Sequence, residues 1–396
     1  MKQRIENMDL KDKRVVVRCD YNVPIQNGII LDDTKIVESL ETIRYLIKNN
    51  CKIIILSHLG KIRTEQDKLI NSLEPVAKRL KELVGREVYF NKEVMDAALP
   101  EQIQMMLPRD ILLLENTRFL DVPNKLESNN NIQLAAFFAS LGDVFVMDAF
   151  ASAHREHAST VGITKFLPSC IGFSVERELT ALDRFLGTPE HPFTVIMGGA
   201  KVEDKLKLIE TLLPKCDHLL LAGGLANSFL KTLNFNIGSS LATESEITME
   251  KLKQIMLNYR EKLMLPLDAV VGSTYDESYA RYKKINEIGD NDVILDIGTK
   301  TLEKYKTAIY GSKTIFLNGT MGFYEDIRFS NGTKELFNIL KDQNGIVVVG
   351  GGDSVGAVKR LGYATEFTYL SCGGGATLEY LTKGSLVGIE SIMEEK

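Results

Sequence analysis

Short β-branched runs alternate with amphipathic stretches along the whole chain, and this alternation limits its fold more than any other feature. These short apolar runs, most of them with β-branched residues, are 15–18, 52–56, 111–114 and 144–147, then 194–197, 218–221, 268–271, 293–297, 314–317, 346–349 and 367–370. The stretches 34–48 and 73–84 carry apolar residues at the spacing of helices that cover a sheet. Such alternation is typical of parallel sheets covered on both faces. The sequence therefore predicts an α/β fold with parallel sheets.

The length of the chain indicates more than one sheet. Its 396 residues exceed what one hydrophobic core usually supports, so we predict two domains. A charged helical stretch over 175–186 precedes a segment with glycine and two prolines, 187–192, and this is the predicted boundary. The predicted architecture is two doubly wound, Rossmann-like parallel-sheet domains.

Glycine-rich turns follow two predicted strands of the second half. The run 346–349 leads into Gly350, Gly351, Gly352, Asp353 and Ser354, with a helical pattern behind them. Bare backbone N–H groups at a helix N-terminus bind phosphate, and a neighbouring carboxylate suits Mg²⁺. A tight turn that needs glycine explains one such run equally well. A second run, 373–375, again follows a predicted strand and favours a phosphate site.

Polar side chains follow most of the other predicted strands. In the first half they are Asp20, Asn22, His58, Lys61, Arg118, His154, Arg155 and His157, and in the second half Lys201 and Lys205. Any one of these cations, taken alone, is more often a solvated surface charge. Ligands of doubly wound sheets bind at the carboxyl ends of the strands, where this set is predicted to lie. The first-half set therefore predicts a site for a small, multiply anionic ligand, and the two lysines are predicted to share one face of a helix start.

Composition and missing motifs exclude several classes of protein. The net charge of −5 argues against general nucleic-acid binding. Five scattered cysteines favour reduced thiols and a cytoplasmic protein, and no apolar run predicts a signal peptide or a membrane span. The sequence lacks HExxH, GxxxxGK[ST] and GxGxxG, which makes zinc-protease, P-loop and dehydrogenase functions improbable.

Eight segments occur in the order and spacing found in phosphoglycerate kinases. They are RVVVRCDYNVP, SHLG, LLLENTRF, DVFVMDAFASAHREHASTVG, GGAKVEDK, LNGTMGFYE, VVVGGGDSVGAV and SCGGGATLEYL. The chain resembles this family over essentially its whole length. The resemblance implies a hinge enzyme that transfers phosphate between 1,3-bisphosphoglycerate and ADP, giving 3-phosphoglycerate and ATP. It implies a 3-phosphoglycerate-binding domain (1–172), an interdomain hinge helix (173–190), a nucleotide-binding domain (191–380) and a tail that returns to the first domain (381–396).

The same resemblance implies a role for each site residue. Substrate binding is implied for Asp20, Tyr21, Asn22, Lys35, His58, Leu59, Gly60, Lys61, Arg118 and Arg155. Nucleotide binding is implied for Gly199, Lys201, Lys205, Gly223, Gly224, Asn318, Glu325, Gly351, Gly352, Asp353 and Ser354. Lys35, Lys201, Gly374 and Gly375 are implied to act on the transferring phosphoryl group, and Asp353 to bind Mg²⁺. The implied partners are small-molecule substrates, with no nucleic acid and no membrane, and the expected state is a monomer.

Two departures from the family pattern bear on turnover. Lys35 and Lys61 stand where the family carries arginine. Lysine lacks the planar guanidinium group, which can bind phosphate through two hydrogen bonds. Two hypotheses follow from them. The chain is either a working kinase in which Lys35 serves as a point charge, or a divergent, inactive paralogue that binds nucleotide and glycerate as a regulator. The presence of Lys201, Asp353, Arg118 and Arg155 favours the first.

Overall fold

The computed structural model describes residues 2–273 and 279–395. Met1, residues 274–278 and Lys396 belong to the predicted domain ranges and lie outside the described residues. The fold divides into two units, the first formed by Met1–Thr180 with Lys383–Lys396 and the second by Ala181–Thr382. No helix in the described ranges is both long enough and apolar enough to cross a membrane.

The described residues form strands and helices in close alternation. The strands are β1 (Arg14–Cys19), β2 (Ile25–Gln26), β3 (Ile29–Ile30), β4 (Lys52–Leu56), β5 (Val88–Asn91), β6 (Ile111–Leu114), β7 (Val144–Asp148), β8 (Ser169–Ile171), β9 (Phe193–Met197), β10 (His218–Leu221), β11 (Leu263–Met264), β12 (Asp268–Ser273), β13 (Arg281–Lys284), β14 (Asp292–Ile297), β15 (Thr314–Asn318), β16 (Ile346–Val349) and β17 (Tyr369–Leu370). The α-helices are α1 (Thr34–Glu38), α2 (Leu40–Lys48), α3 (Glu65–Ile70), α4 (Glu74–Val84), α5 (Leu99–Met105), α6 (Ile132–Ser140), α7 (Phe173–Leu186), α8 (Glu203–Leu212), α9 (Gly223–Thr232), α10 (Glu246–Tyr259), α11 (Thr299–Gly311), α12 (Asn331–Lys341), α13 (Gly352–Arg360), α14 (Gly375–Lys383) and α15 (Val387–Glu390).

A six-stranded parallel sheet forms the centre of the first unit, in the order β5-β6-β4-β1-β7-β8. Val17 of β1 and Ile55 of β4 have no exposed surface and share a core with Ile43 of α2 and Leu80 of α4. Burying a side chain of this size contributes roughly 1.5–3 kcal/mol. Because the strands are parallel, the loops that follow β1, β4, β6 and β7 leave the sheet at the same edge.

A second six-stranded parallel sheet forms the centre of the other unit, in the order β11-β10-β9-β15-β16-β17. Leu317 of β15 and Val349 of β16 are fully buried against Tyr305 of α11 and Phe337 of α12. The loops that follow β9, β10, β15, β16 and β17 therefore lie at its carboxyl edge. Both parallel-sheet domains predicted from the sequence are confirmed.

Two strands predicted for a parallel sheet belong to a separate, antiparallel one. The predicted runs 268–271 and 293–297 correspond to β12 and β14, which pair antiparallel in a three-stranded sheet of order β13-β12-β14. Residues 274–280 separate β12 from β13, and parallel strands need a crossover of about a dozen residues or more. A β-branched run predicts an extended backbone, but it does not say with which strand, or in which direction, the run pairs.

The predicted helix over 34–48 is interrupted at Ser39, between α1 and α2. The Ser39 hydroxyl donates to the carbonyl of Ile36 at 2.8 Å, and it also lies 3.0 Å from the hydroxyl of Tyr21. Serine competes for backbone hydrogen bonds in this way, which bends or breaks helices. The break separates α1, which carries Lys35, from α2.

Asp148 at the end of β7 is a buried carboxyl group that caps the start of α7. Its Oδ1 accepts the N–H groups of Ser174 at 2.9 Å and Val175 at 3.4 Å. Burial raises the pKa of Asp148 to about 7, against the lowering effect of these hydrogen bonds. The folded protein therefore holds a proton that the unfolded chain releases above its ordinary pKa of 3.8. This contribution to stability is complete below pH 3.8 and is lost as the pH rises towards 7.

Replacing Asp148 with asparagine is expected to remove this pH dependence. The amide keeps an acceptor for both N–H groups and carries no titrating proton. Between pH 5 and pH 8 the free energy of unfolding should fall less in Asp148→Asn than in the parent, by roughly 2–3 kcal/mol. Urea unfolding at the two pH values measures the difference. Asp12→Asn, at an exposed aspartate of the same unit, is the control and should follow the parent.

Candidate active site

Three cationic side chains and one histidine meet at the carboxyl edge of the first sheet. His58 follows β4, Arg118 follows β6, Arg155 follows β7, and Lys35 lies on α1. Their proximity shows in the electrostatics, since the positive charges of Arg155 and Lys35 both lower the pKa of His58. We call Lys35, His58, Arg118 and Arg155 the basic edge. Such a cluster suits a ligand with several negative charges.

The loops of the basic edge are tied to one another through Gly60. The Gly60 N–H donates to Asn22 Oδ1 at 2.9 Å, and its carbonyl accepts from Arg118 Nη1 at 2.5 Å. Lys61 follows directly and is exposed. The predicted substrate residues Asn22, Gly60, Lys61 and Arg118 are thus brought together, although they come from the loops after three different strands.

Lys35 and Asp20 form an ion pair at this edge. Lys35 Nζ lies 2.6 Å from Asp20 Oδ2, and the two side chains are 25% and 12% exposed. The pair holds the ammonium group of Lys35 beside Asp20, which follows β1. A ligand phosphate that contacts Lys35 therefore shares it with the carboxylate of Asp20.

His58 is a neutral imidazole. Burial lowers its pKa well below 6.5, and the positive charges of Arg18, Arg155 and Lys35 lower it further. A neutral imidazole has one N–H donor and one acceptor nitrogen. His58 therefore serves a phosphate as a hydrogen-bond donor and adds no charge.

Tyr21 and Leu59 do not present side chains to this edge. Tyr21 is fully buried, and its hydroxyl group lies 3.0 Å from Ser39 Oγ. Its N–H donates to Ser57 Oγ at 2.9 Å. Leu59 is 4% exposed, and its carbonyl accepts from Asn116 Nδ2 at 2.7 Å. That Tyr21 and Leu59 take part in substrate binding stays a prediction, and their buried side chains leave only the backbone of these residues to do so. Apolar and aromatic side chains within such a loop anchor it to the core. The polar side chains next to them are then directed away from the core.

Sequence reasoning missed Arg18. This arginine lies inside β1 with no exposed surface, and its Nη2 lies 3.0 Å from His58 Nδ1. Charged residues are almost never fully buried without partners. A charge in the middle of the apolar run VVVRC was the signal that could have found it.

Lys205 and Asn318 connect two loops at the carboxyl edge of the second sheet. Lys205 Nζ donates to the backbone carbonyl of Asn318 at 3.1 Å and also to the side-chain oxygen Oδ1 of Asn318. Asn318 Nδ2 in turn donates to the backbone carbonyl of Gly350 at 2.9 Å. Burial lowers the pKa of Lys205 to about 8, and the nearby carboxylate of Asp353 opposes this shift. Lys205 thus lies near Asp353, as a nucleotide-phosphate site requires.

The glycine-rich turn after β16 has the geometry of an anion site. Gly351 has a φ of +92°, which L side chains rarely adopt, and α13 begins at the next residue, Gly352. Asp353 is exposed in the first turn of α13. Ser354 is 1% exposed, and its Oγ accepts the N–H of Gly319 at 2.5 Å. The Ser354 hydroxyl thus ties two loops together, so a phosphate contact from this residue falls to its backbone N–H.

Lys201 does not share a helix face with Lys205, which corrects the prediction from their spacing. α8 begins at Glu203, and Lys201 lies exposed in the loop before it. Gly199, with a φ of +91°, redirects the chain after β9 and delays the helix start. The position leaves the Lys201 ammonium group on a loop, with more freedom to reach a ligand.

A cavity of about 250 Å³ lies beside this edge. Five of the predicted nucleotide residues line it: Gly199, Gly223, Gly224, Glu325 and Asp353. Leu241, Pro266 and Leu295 add apolar walls from elements distant in sequence, and sequence reasoning had no pattern from which to find them. An apolar slot with carboxylates at its rim suits a base, a ribose and their phosphates.

Gly374 and Gly375, the remaining predicted site residues, lie where the loop after β17 leads into α14. α14 begins at Gly375, directly behind Gly374, and the hydroxyl groups of Ser371 and Thr377 lie 2.6 Å apart. The N-terminal N–H groups of such a helix attract developing negative charge.

Metal binding at Asp353 is compatible with the residues present. Among the described residues, no group of three or more His, Cys, Asp or Glu side chains could hold a metal ion. Mg²⁺ in nucleotide sites commonly takes one or two protein carboxylates, with substrate phosphates and water completing its shell. The exposed carboxylate of Asp353, in the first turn of α13, fits that kind of site.

Known proteins with similar sequences and folds point to one family. The sequence model of the phosphoglycerate kinase family matches residues 5–384. Phosphoglycerate kinase of Lactobacillus delbrueckii subsp. bulgaricus is 44% identical over 405 residues, covering 99% of both chains. The enzyme of Macrococcus caseolyticus is 44% identical over 397 residues, covering all of both.

Solved structures agree with these relatives. Phosphoglycerate kinase from Coxiella burnetii has a TM-score of 0.87 and 35% identity, over 99% of this chain and 98% of that chain. The structure from Pyrococcus horikoshii has a TM-score of 0.83 and 29% identity, over 98% of each. The chain therefore belongs to the phosphoglycerate kinase family, the kinases that transfer a phosphoryl group to a carboxyl group.

Proposed function

We propose that the chain catalyses reversible phosphoryl transfer between 1,3-bisphosphoglycerate and ADP, giving 3-phosphoglycerate and ATP in glycolysis. The observation that carries the proposal is the division of the site, with a basic edge on one sheet and, on the other, a cavity lined by five of the predicted nucleotide residues. Nothing in the fold or in the related proteins favours the alternative of an inactive regulator.

The proposed binding roles divide between the two units of the fold. Residues 1–172 bind 3-phosphoglycerate, 173–190 serve as the hinge, 191–380 bind the nucleotide, and 381–396 return to the first domain. The partition of the fold at Thr180 and Lys383 supports these limits. Direct transfer requires the two bound substrates to meet, so the units must close on them and exclude water.

In the first domain, Asp20 and Asn22 bind the glycerate hydroxyl and carboxyl end. His58, Arg118 and Arg155 bind the phosphate that is not transferred, through donors that the basic edge holds in place. The acceptor carboxylate is ionised at neutral pH and needs no general base. Lys35 neutralises part of the charge on the transferring group. Catalysis then consists of in-line positioning and charge neutralisation.

In the second domain, Gly223 and Gly224 flank the adenine and Glu325 accepts from the ribose hydroxyls. Lys205, with the N–H groups after β16, binds the nucleotide phosphates. Lys201 and the N-terminus of α14 stabilise charge on the transferring group. Asp353 holds Mg²⁺, which when bound neutralises phosphate charge. We further propose that the enzyme is a cytoplasmic monomer that binds neither nucleic acid nor membranes. Its net charge of −5 supports the absence of nucleic-acid binding.

A coupled assay of ATP-dependent phosphorylation of 3-phosphoglycerate tests the function. We expect turnover that depends on both substrates and on a divalent metal. Turnover at background level, from protein that still binds ATP, would contradict the proposal and favour the regulator.

Lys35→Arg is expected to raise kcat about threefold to tenfold with little change in the KM for ATP. The guanidinium fork can bind phosphate through two parallel hydrogen bonds, a gain of roughly 1 kcal/mol in the transition state. Lys48→Arg, at an exposed position at the end of α2, is the matched control and should change neither constant. A lower kcat in Lys35→Arg would mean that the pocket is built around the lysine.

A further inference from the structure

Arg18 uses its three guanidinium nitrogens on three buried partners. Nε donates to Ser159 Oγ at 2.9 Å, Nη1 donates to the carbonyl of Cys19, and Nη2 lies 3.0 Å from His58 Nδ1. Arginine is always a donor and never an acceptor. The His58 Nδ1 atom must therefore accept, so the proton of this neutral ring lies on Nε2.

A buried carboxylate balances the charge of Arg18. Glu127 has no exposed surface, and its Oε1 accepts the hydroxyl proton of Ser159, while its Oε2 accepts the Ser159 N–H at 3.2 Å. Ser159 Oγ thus donates to Glu127 and accepts from Arg18 at the same time. We call Arg18, Ser159 and Glu127 the buried bridge.

His157 does not compete for the carboxylate as a cation. Its Nδ1 lies 3.7 Å from Glu127 Oε1, but burial and the charges of Arg18 and Arg155 lower its pKa to about 3. Burial raises the pKa of Glu127, and the charge of Arg18 is the first influence that opposes this. Arg18 is therefore the counter-ion of Glu127.

The stability of the fold alone does not explain why the three residues of the buried bridge are charged or polar. An ion pair removed from water gains about as much in attraction as it loses in hydration, and apolar residues of similar size often do as well. The bridge has a consequence that apolar residues could not provide, because it presents a fixed N–H donor to one nitrogen of His58. Because Nδ1 is already occupied by Arg18, Nε2 is the ring nitrogen left for a ligand. A phosphate dianion offers only acceptors, so a ring with its proton on Nε2 attracts it and the other tautomer repels it.

We propose that the buried bridge fixes His58 in the tautomer with its proton on Nε2, which makes Ser159 and Glu127 positioning residues for a phosphate ligand. The assignment of that phosphate to 3-phosphoglycerate rests on the proposed function. The tautomer itself is a property of the free protein and is measured without substrate.

The test uses protein labelled with ¹⁵N-histidine, whose ring spectra show which nitrogen carries the proton. His58→Gln identifies the His58 signals among the five histidines. We expect the Nε2–H form in the parent. In Ser159→Ala the Nε of Arg18 loses its acceptor, so the guanidinium group is no longer held with Nη2 against His58 Nδ1, and the Nδ1–H form should become populated. The KM for 3-phosphoglycerate should rise about tenfold, the cost of one hydrogen bond to a charged group, with kcat and the KM for ATP unchanged.

Ser152→Ala is the matched control, because Ser152 is a 2% exposed serine of the same unit whose Oγ has no hydrogen-bond partner within the described ranges. It should leave the tautomer and both KM values unchanged. Arg18→Met fills a similar volume without a donor and should abolish the preference altogether. If it does not fold, Ser159→Ala decides the question alone.

An Nδ1–H signal for His58 in the parent would overturn the proposal, as would an unchanged tautomer in Ser159→Ala. A changed tautomer with an unchanged KM would overturn the positioning role. Absent kinase turnover with an intact Nε2–H signal would instead refute the proposed function and leave the tautomer assignment standing.

Discussion

Lys201→Met is expected to lower kcat about 10²- to 10³-fold, with a much smaller change in the KM for ATP. In the proposed mechanism, Lys201 meets charge that grows on the transferring group in the transition state, whereas Lys205 and the loop after β16 hold the ground-state phosphates. An interaction made chiefly in the transition state lowers kcat and kcat/KM together when it is removed. Steady-state kinetics with ATP and 3-phosphoglycerate measure both constants.

Lys207→Met is the matched control for this loss of charge. Lys207 is exposed on α8 in the same domain, and its replacement should leave kcat within about twofold of the parent. A kcat for Lys201→Met close to that of the control would remove Lys201 from the mechanism. A rise in the KM for ATP with kcat unchanged would reassign Lys201 to ground-state nucleotide binding.

Gly319→Ala is expected to destabilise the nucleotide domain by about 2–5 kcal/mol. Gly319 has a φ of +103°, and a Cβ there would lie 2.2 Å from the carbonyl oxygen of Gly198. Backbone must shift to relieve that overlap. The movement would separate the loops after β9 and β15 and disturb the Gly319–Ser354 hydrogen bond. Thermal and urea unfolding measure the stability, and ATP titration should show a weaker affinity.

Gly311→Ala controls for the added methyl group. Gly311 ends α11, has no atom within 4 Å of the new Cβ, and should be neutral or gain up to about 1 kcal/mol. An unfolding midpoint for Gly319→Ala equal to that of the parent would show that the two loops do not depend on this close approach.

Local pattern predicted much of the fold. The runs 52–56, 111–114, 218–221 and 346–349 are strands with the predicted bounds, because a buried parallel strand reads as a continuous apolar run. The pairing of β12 and β14 was not predicted, since alternation alone does not say which strands share a sheet. The break at Ser39 was also missed, because it depends on a contact with Tyr21.

The candidate site shows the same division. Sequence reasoning named Gly199, Gly223, Gly224, Glu325 and Asp353, and the fold brings all five to one cavity. It could not find the apolar walls of the cavity, which look like ordinary core residues in the sequence. It placed Lys201 on a helix, since a four-residue spacing gives no information about where a helix begins.

By itself, the sequence determined the α/β class, the two parallel sheets and the loops that carry the polar residues, because periodicity and glycine placement act over a few neighbouring residues. Only the tertiary structure decided how residues distant in sequence share protons and charge. Arg18 and Ser159 are 141 residues apart, and their hydrogen bond exists because β1 and the segment after β7 are packed into one core. Burial then makes each unpaired charge costly, so the fold selects the partners that the sequence leaves undefined.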